Sequence, residues 1–234
     1  MKNNLYIYHH LGLGDHFMCN AIVRIKAKTY EKIFLFVKPK YLQHISYMYR
    51  DLQNIKFIAM DDSEVRSFMQ FNNNNYLIIG HTPEYFKKIK TGIHFDEGFY
   101  NMVEIPLENK WNNFYFERNI EKEKHAFYNL INLKDDEEFI VVHDDPKNNR
   151  NFKSEYIPKN IKIINPNNFP EVGIFDFLYT FEKAKELHLM NSSFLNLIDC
   201  IQLQTNKLIL HSYARKDMGD NPNPKLKLNW TILY

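Results

Sequence analysis

LYIYHHLGLGDHFMCNAIVR, Leu5–Arg24, is the stretch from which the fold is read. Leu5-Tyr6-Ile7-Tyr8 is a short apolar run and reads as a strand. From Asp15 to Tyr30 the pattern is helical, with Met18, Ala21, Ile22 and Ile25 recurring on one face. Between them lies a turn that holds Gly12 and Gly14, followed at once by Asp15, in a chain with only 7 glycines. In open α/β sheets ligands bind beyond the carboxyl ends of strands. Glycine lets backbone approach a ligand, and a helix N-terminus offers N–H groups and partial positive charge. The plainer reading, a glycine turn with Asp15 as the helix N-cap, stands equally open. The turn is not a dinucleotide fingerprint, because the third glycine of that motif falls at Phe17. His9, His10 and His16 invite a metal reading. Neighbouring strand residues point to opposite faces, however, so His9 and His10 do not chelate one ion together. One of the two lines the site and the other packs or faces solvent.

Outward from this junction, strand and helix patterns alternate. Strands are expected at Ile33–Val37, Ile55–Met60 and Tyr76–Ile79. Helices are expected at Pro39–Arg50, Asp61–Phe71 and Pro83–Lys90. Such alternation implies a parallel sheet covered on both faces. Gly98–Arg118 is aromatic and irregular and reads as the crossing between two lobes. Ile120–Leu133 reads as helix. A second series follows, with strands at Phe139–His143, Ile161–Ile164, Leu187–Met190 and Leu208–His211. Helices at Phe175–Ala184 and Ser192–Leu203 alternate with them. The expected fold is α/β, two small Rossmann-like lobes facing a cleft, divided as 1–115 and 116–234.

The chain has 234 residues, 44% of them hydrophobic and 15% aromatic, which suffices for this much core. Its 30 basic and 28 acidic residues nearly cancel, so no broad nucleic-acid surface is implied. Cys19 and Cys200 lie far apart and form no metal or disulfide motif, which fits a reducing compartment. No apolar run reaches the ~20 residues of a membrane span, and MKNNLYIYHH lacks the features of a signal peptide. The expectation is a cytoplasmic protein, or one lying peripherally at the inner membrane. The asparagine tract Asn72–Asn75 carries no function.

Two turns of the second half carry chemistry. VVHDDPKNNRNFK, Val141–Lys153, follows a strand and presents His143, Asp144 and Asp145, then Lys147, Arg150 and Lys153. Arg and Lys together suit a diphosphate. A solvated surface loop, or a metal-binding Asp144-Asp145 pair, are the other readings. In ELHLMNSSFLNLIDCIQL, Glu186–Leu203, a strand runs into Ser192 and Ser193, which open a helix buried through Phe194, Leu197, Ile198 and Ile201. Hydroxyls and free N–H groups at a helix start suit a phosphate, and plain capping explains them equally.

Together these turns resemble glycosyltransferases of the two-lobed GT-B fold, and bacterial heptosyltransferases and related surface-polysaccharide enzymes in particular. The Gly14-Asp15 turn is similar to theirs, which implies that Asp15 is the catalytic base. Met190–Leu203 is similar to their late strand and helix start, which implies that Ser192 and Ser193 receive the donor diphosphate. Those enzymes are longer, and their late Asp-Thr-Gly…His signature is replaced here by Asn191-Ser192-Ser193-Phe194. The serine pair with Phe194 also resembles GT-B fucosyltransferases, so the donor sugar does not carry over.

The resulting expectation is an inverting, metal-independent glycosyltransferase of the hexosyl- or heptosyltransferase type, with no cofactor and no nucleic-acid partner. Its donor is a nucleotide sugar, and its acceptor is a glycan or lipid-linked glycan. Asp15 and His10 are the catalytic candidates. Gly12, Gly14, His143, Arg150, Lys153, Ser192, Ser193 and Phe194 are the donor and phosphate candidates. His211, Tyr213 and Arg215 are further cleft candidates. An epimerase or hydrolase acting on nucleotide sugars, using His9, His10 and His143, and a non-catalytic sugar-nucleotide or glycan binder remain the alternatives.

Overall fold

A computed structural model describes residues 2–89, 92–204, 207–218 and 223–234. Lys90, the expected end of one helix, lies outside them. The chain divides into two units, Met1–Glu117 and Arg118–Tyr234. Both are Rossmann-like, each a parallel sheet with helical connections.

In the first unit β1 (Lys2–Tyr8), β2 (Tyr30–Val37), β3 (Ile55–Ala59) and β4 (Tyr76–Ile78) form a sheet of order β3-β2-β1-β4. All neighbours are parallel. Alternation along β1 buries Leu5 and Ile7 on one face. Tyr6 lies on the other, stacked on its cross-strand partner Phe34 with centroids 4.5 Å apart. The connections run through α1 (Leu13–Met18), α2 (Asn20–Ala27), α3 (Leu42–Met48), α4 (Asp62–Phe71) and α5 (Pro83–Ile89). Asp61 opens α4 with a full capping box closed by Glu64.

Three expectations change here. The single helix over Asp15–Tyr30 is two helices that break at Cys19, and β2 takes in Tyr30. Pro39–Tyr41 is a 3-10 turn ahead of α3. Gly98–Arg118 is no bare crossing, for it carries most of α6 (Phe95–Met102) and all of α7 (Asn109–Asn112) and belongs to the first unit as far as Glu117. Its anchors are polar. Tyr100 donates to the Met18 carbonyl at 2.8 Å. Asn20 exchanges two hydrogen bonds with the Tyr115 backbone. Arg24 donates to that same carbonyl while its guanidinium forks onto Asp51 at 2.8 Å twice. Lys110 and Asp96 form a fully buried ion pair at 2.7 Å.

In the second unit β5 (Phe139–His143), β6 (Lys162–Ile164), β7 (Leu187–Leu189), β8 (Leu208–His211) and β9 (Trp230–Leu233) form a sheet of order β6-β5-β7-β8-β9, again all parallel. β5 is buried at every position, as a strand covered on both faces must be. α8 (Ile120–His125) runs into a π turn at Ala126–Leu130, so the expected Ile120–Leu133 helix is shorter and irregular. α9 (Leu178–Lys183) and α10 (Ser193–Cys200) complete the unit. β9 was not expected. The buried Asp199 carboxylate of α10 draws the chain to it by accepting from the backbone N–H groups of Lys227 and Leu228 and from Trp230 Nε1, each at 3.0 Å.

Among the described residues five that are not glycine take left-handed backbone: Glu104, Asn132, Asn149, Asn160 and Gln202. Among the described residues no helix is long and apolar enough to cross a membrane.

Candidate functional site

Each sheet has one point where the chain reverses its direction of travel, and loops leaving the strands there open a natural binding crevice. In the first unit that point lies between β1 and β4. The loops that leave it are His9–Gly12 and Ile79–Thr82.

His10 bridges them, donating from Nε2 to the Gly80 carbonyl at 2.8 Å. Gly80 has φ of 81°. A Cβ there would stand 2.6 Å from the Phe99 ring and 2.8 Å from His10 Nε2. Asp15 is not the N-cap. Gly12 holds that position, and Asp15 is the third residue of α1. Its carboxylate turns back over Gly12, toward the backbone N–H groups of Gly12 and of Asp15 itself. Gly12 has ordinary extended backbone, so its glycine is explained by space: a Cβ would lie 2.5 Å from Asp15 Oδ2. Gly14 is the second helical residue. Burial pushes the Asp15 carboxyl up to about 6, against the opposing pull of His10, those N–H groups and Lys38.

Beside it the Tyr8 ring stacks on His81 at 4.3 Å and its hydroxyl donates to Asp62, which also pairs with Lys38 at 2.9 Å. Burial and that carboxylate push the Tyr8 hydroxyl up to about 12. His9 and His16 are wholly buried, their rings 4.3 Å apart. Burial pushes the His9 imidazole down to about 4 and holds His16 well below its usual range. His9 is thus the packed histidine and His10 the one at the crevice. Lys38, Tyr8 and Asp62 were not singled out from sequence.

In the second unit the reversal lies between β5 and β7. His143 ends β5, and burial pushes its imidazole down to about 4. Its Nδ1 lies 3.3 Å from Ser192 Oγ, beyond the end of β7. Ser192 occupies the N-cap position of α10 but makes no capping bond, because its hydroxyl turns to His143. Ser193 is the first helical residue. Phe194, read from sequence both as part of the buried helix face and as a donor-site candidate, is buried among Phe177, Phe181 and the His143 ring.

A depression of about 530 Å³ opens at the carboxyl ends of β5, β6 and β7, lined by His143, Asp145, Lys147, Asn165, Asn167 and Met190. A second, of about 350 Å³, is lined by Asn148, Asn149, Arg150, Lys153 and Tyr213. The basic loop thus divides between two hollows, and neither lining includes Ser192 or Ser193. Arg150 pairs with Asp145 at 3.3 Å, the two residues also exchanging backbone hydrogen bonds. Lys153 Nζ stands 4.8 Å from the centre of the Tyr213 ring. Arg215 donates to the Asn191 carbonyl at 2.6 Å, fastening the segment after β8 to the turn before α10.

Asp144 accepts from Asn165 at 2.9 Å, and burial pushes its carboxyl up. Asp145 accepts from Asn148 and Arg150. Among the described residues no group of three or more His, Cys, Asp or Glu is arranged to hold a metal ion. Asn165 and Asn167 were missed from sequence. Their signal is the polar run Asn165–Asn168 directly after a strand.

The two parallel sheets and their helical connections define a pair of Rossmann-like α/β units of the GT-B-like kind. Neither a protein-family model nor a curated protein matches the sequence. Among solved structures, the chain is similar to the glycosyl transferase family 9 protein from Veillonella parvula DSM 2008, with a TM-score of 0.52 and 11% identity. The match covers 89% of this chain and 80% of that one. At this identity the likeness is one of fold.

Proposed function

We propose that the protein is a glycosyltransferase that moves a sugar from a nucleotide-sugar donor to a hydroxyl of a glycan or lipid-linked glycan, with inversion. The observation that carries this reading is the desolvated Asp15 carboxyl at the β1/β4 reversal, brought to about 6, where a general base works well near neutral pH. The fold likeness to a glycosyl transferase family 9 structure and the hollow lined by Arg150 and Lys153 in the second unit support it.

The acceptor hydroxyl gives its proton to Asp15 as its oxygen attacks the anomeric carbon. The bond from that carbon to the diphosphate breaks, and the electron pair leaves with the phosphate oxygen. His10, fixed on Gly80, lends charge stabilisation to the ionised Asp15. Arg150 and Lys153, which line one hollow, receive the leaving diphosphate. No metal is required for this scheme, so transfer survives EDTA. Loss on chelation with rescue by Mn²⁺ would transfer the role to Asp144 and Asp145.

The test combines a panel of nucleotide sugars with lipid-linked glycan acceptors. Asp15→Asn removes the base while retaining an acceptor oxygen for the Gly12 N–H. Transfer should fall ~10²–10⁴-fold with nucleoside diphosphate affinity unchanged. Near-native transfer by the variant would dismiss Asp15 as base. Epimerised or hydrolysed donor without acceptor would replace the reading with another class.

A further inference from the structure

A line of polar side chains crosses one face of the second sheet and ends at the basic loop. Glu186, just before β7, lies 2.9 Å from His188 Nε2. His188 Nδ1 lies 3.0 Å from His211 Nε2. His211 Nδ1 lies 2.9 Å from the Tyr213 hydroxyl, which in turn accepts from the Lys153 backbone N–H at 2.8 Å. The register explains the line. Glu186 and His188 are two apart and share a face, and His188 pairs with Ile209, which puts His211 two residues further along the neighbouring strand.

The ends of the line fix its direction. A backbone N–H only donates, so the Tyr213 oxygen accepts from Lys153 and its hydrogen goes to His211 Nδ1. His211 then carries its proton on Nε2 and donates to His188 Nδ1. His188 carries its proton on Nε2 and donates to Glu186, whose carboxylate only accepts. Every bond is made with both imidazoles neutral, and burial pushes both down, His211 to about 3. Lys207 closes the far end on Glu186 at 2.8 Å. The Phe152 ring lies flat on His211, 3.8 Å away and 7° from parallel, so the loop is held by stacking as well as by the Lys153 amide.

We propose that Glu186, His188, His211 and Tyr213 are positioning residues that hold the Asn148–Lys153 loop, and with it the Lys153 ammonium on the Tyr213 ring, where it takes the donor's diphosphate. This rests on the donor-site reading above. A core whose only task was stability would be served as well by apolar side chains on this face. A one-way chain running to a loop amide instead sets that amide and its side chain in one place.

The test uses the full chain, with inorganic pyrophosphate as the probe. Tyr213→Phe keeps the ring under Lys153 and removes only the hydroxyl. The Lys153 amide should lose its protection from hydrogen exchange, and pyrophosphate should bind about ten-fold more weakly, roughly the worth of one hydrogen bond. Nitrogen-15 spectra of the imidazoles should show the proton on Nε2 in both His188 and His211. Glu186→Gln, at the opposite end of the chain, should alter the His211 signal as well as that of His188. Should His211 carry its proton on Nδ1, the chain runs otherwise and the proposal falls. It also falls if Lys153→Ala weakens pyrophosphate binding while Tyr213→Phe changes neither binding nor amide exchange, an outcome that leaves the donor site standing. Lys153→Ala binding pyrophosphate like the native protein would instead overturn the donor-site reading of this loop, and the proposal with it.

Discussion

His10 donates to the carbonyl of Gly80 at 2.8 Å, joining the loop after β1 to the loop after β4 across the reversal of the first sheet. His143 and Ser192 make the corresponding join across the reversal of the second, at 3.3 Å. In both units a histidine at or just beyond the end of the first strand is tied to the turn that follows the strand reached after the chain has doubled back. In each unit one hydrogen bond thus fastens the two loops at the reversal to each other.

Gly80 is the weak point of the first join. Gly80→Ala combines a left-handed backbone with a Cβ that collides with Phe99 and His10. The strain costs about 1–3 kcal/mol, and the collision adds to it. Urea denaturation should show a loss of at least that size. A midpoint equal to the native one would mean that His10 and Phe99 yield freely.

Asp15 makes stability depend on pH in a stated direction. Its folded value is raised from 3.8 to about 6, so folding is favoured less once the group ionises. The native protein loses this increment as pH rises from about 4 to about 6. Asp15→Asn has no such group. Melting temperatures should show the variant gaining on the native protein across that window and holding a constant lead above it. With Asp15 as the proposed base, the rate of sugar transfer should fall about ten-fold per pH unit below about 6, since the base must be ionised.

In the donor site proposed above, Arg150 and Lys153 would each make a charge-assisted contact to phosphate, worth about 1.5–3 kcal/mol. Arg150→Ala and Lys153→Ala should each weaken nucleoside diphosphate binding ten-fold or more by calorimetry. Arg150→Ala also leaves the Asp145 carboxylate without its pair, so Asp145→Asn in the same chain should recover part of the loss.

Lys110 and Asp96 have no exposure at all, so either charge alone is costly. Lys110→Met should destabilise the protein by about 3–5 kcal/mol. The double variant with Asp96→Asn should lose less than the single one. Additive losses would show that the two charges are not each other's main support.

The strand pattern was legible because β1 and β5 are short apolar runs bounded by polar turns. Residue choice fixes such runs locally. The break at Cys19 was not legible, since no glycine or proline marks it and the apolar face continues through Met18, Ala21 and Ile22. β9 was missed because WTIL is brief and its place comes from a distant carboxylate, Asp199. At the candidate sites, Asp15 and the basic loop stand out by charge beside a strand end. The Ser192 hydroxyl does not, because whether it caps α10 or meets His143 depends on the approach of β5 to β7. His188 is silent for the same reason, since its partner lies on the adjacent strand.

The left-handed turns at Asn132, Asn149 and Asn160 bear on the unfolded chain. A glycine at any of these places would roam over far more backbone conformations before folding, and all of that freedom would vanish on folding. Asparagine enters the same conformation with some strain but starts from a narrower ensemble. With glycine so scarce, the disordered chain is stiffer than its loop content suggests, and less entropy separates it from the native turns. At Asn149 the substitution has a second effect, for the amide that replaces a bare backbone stands in the wall of the smaller hollow.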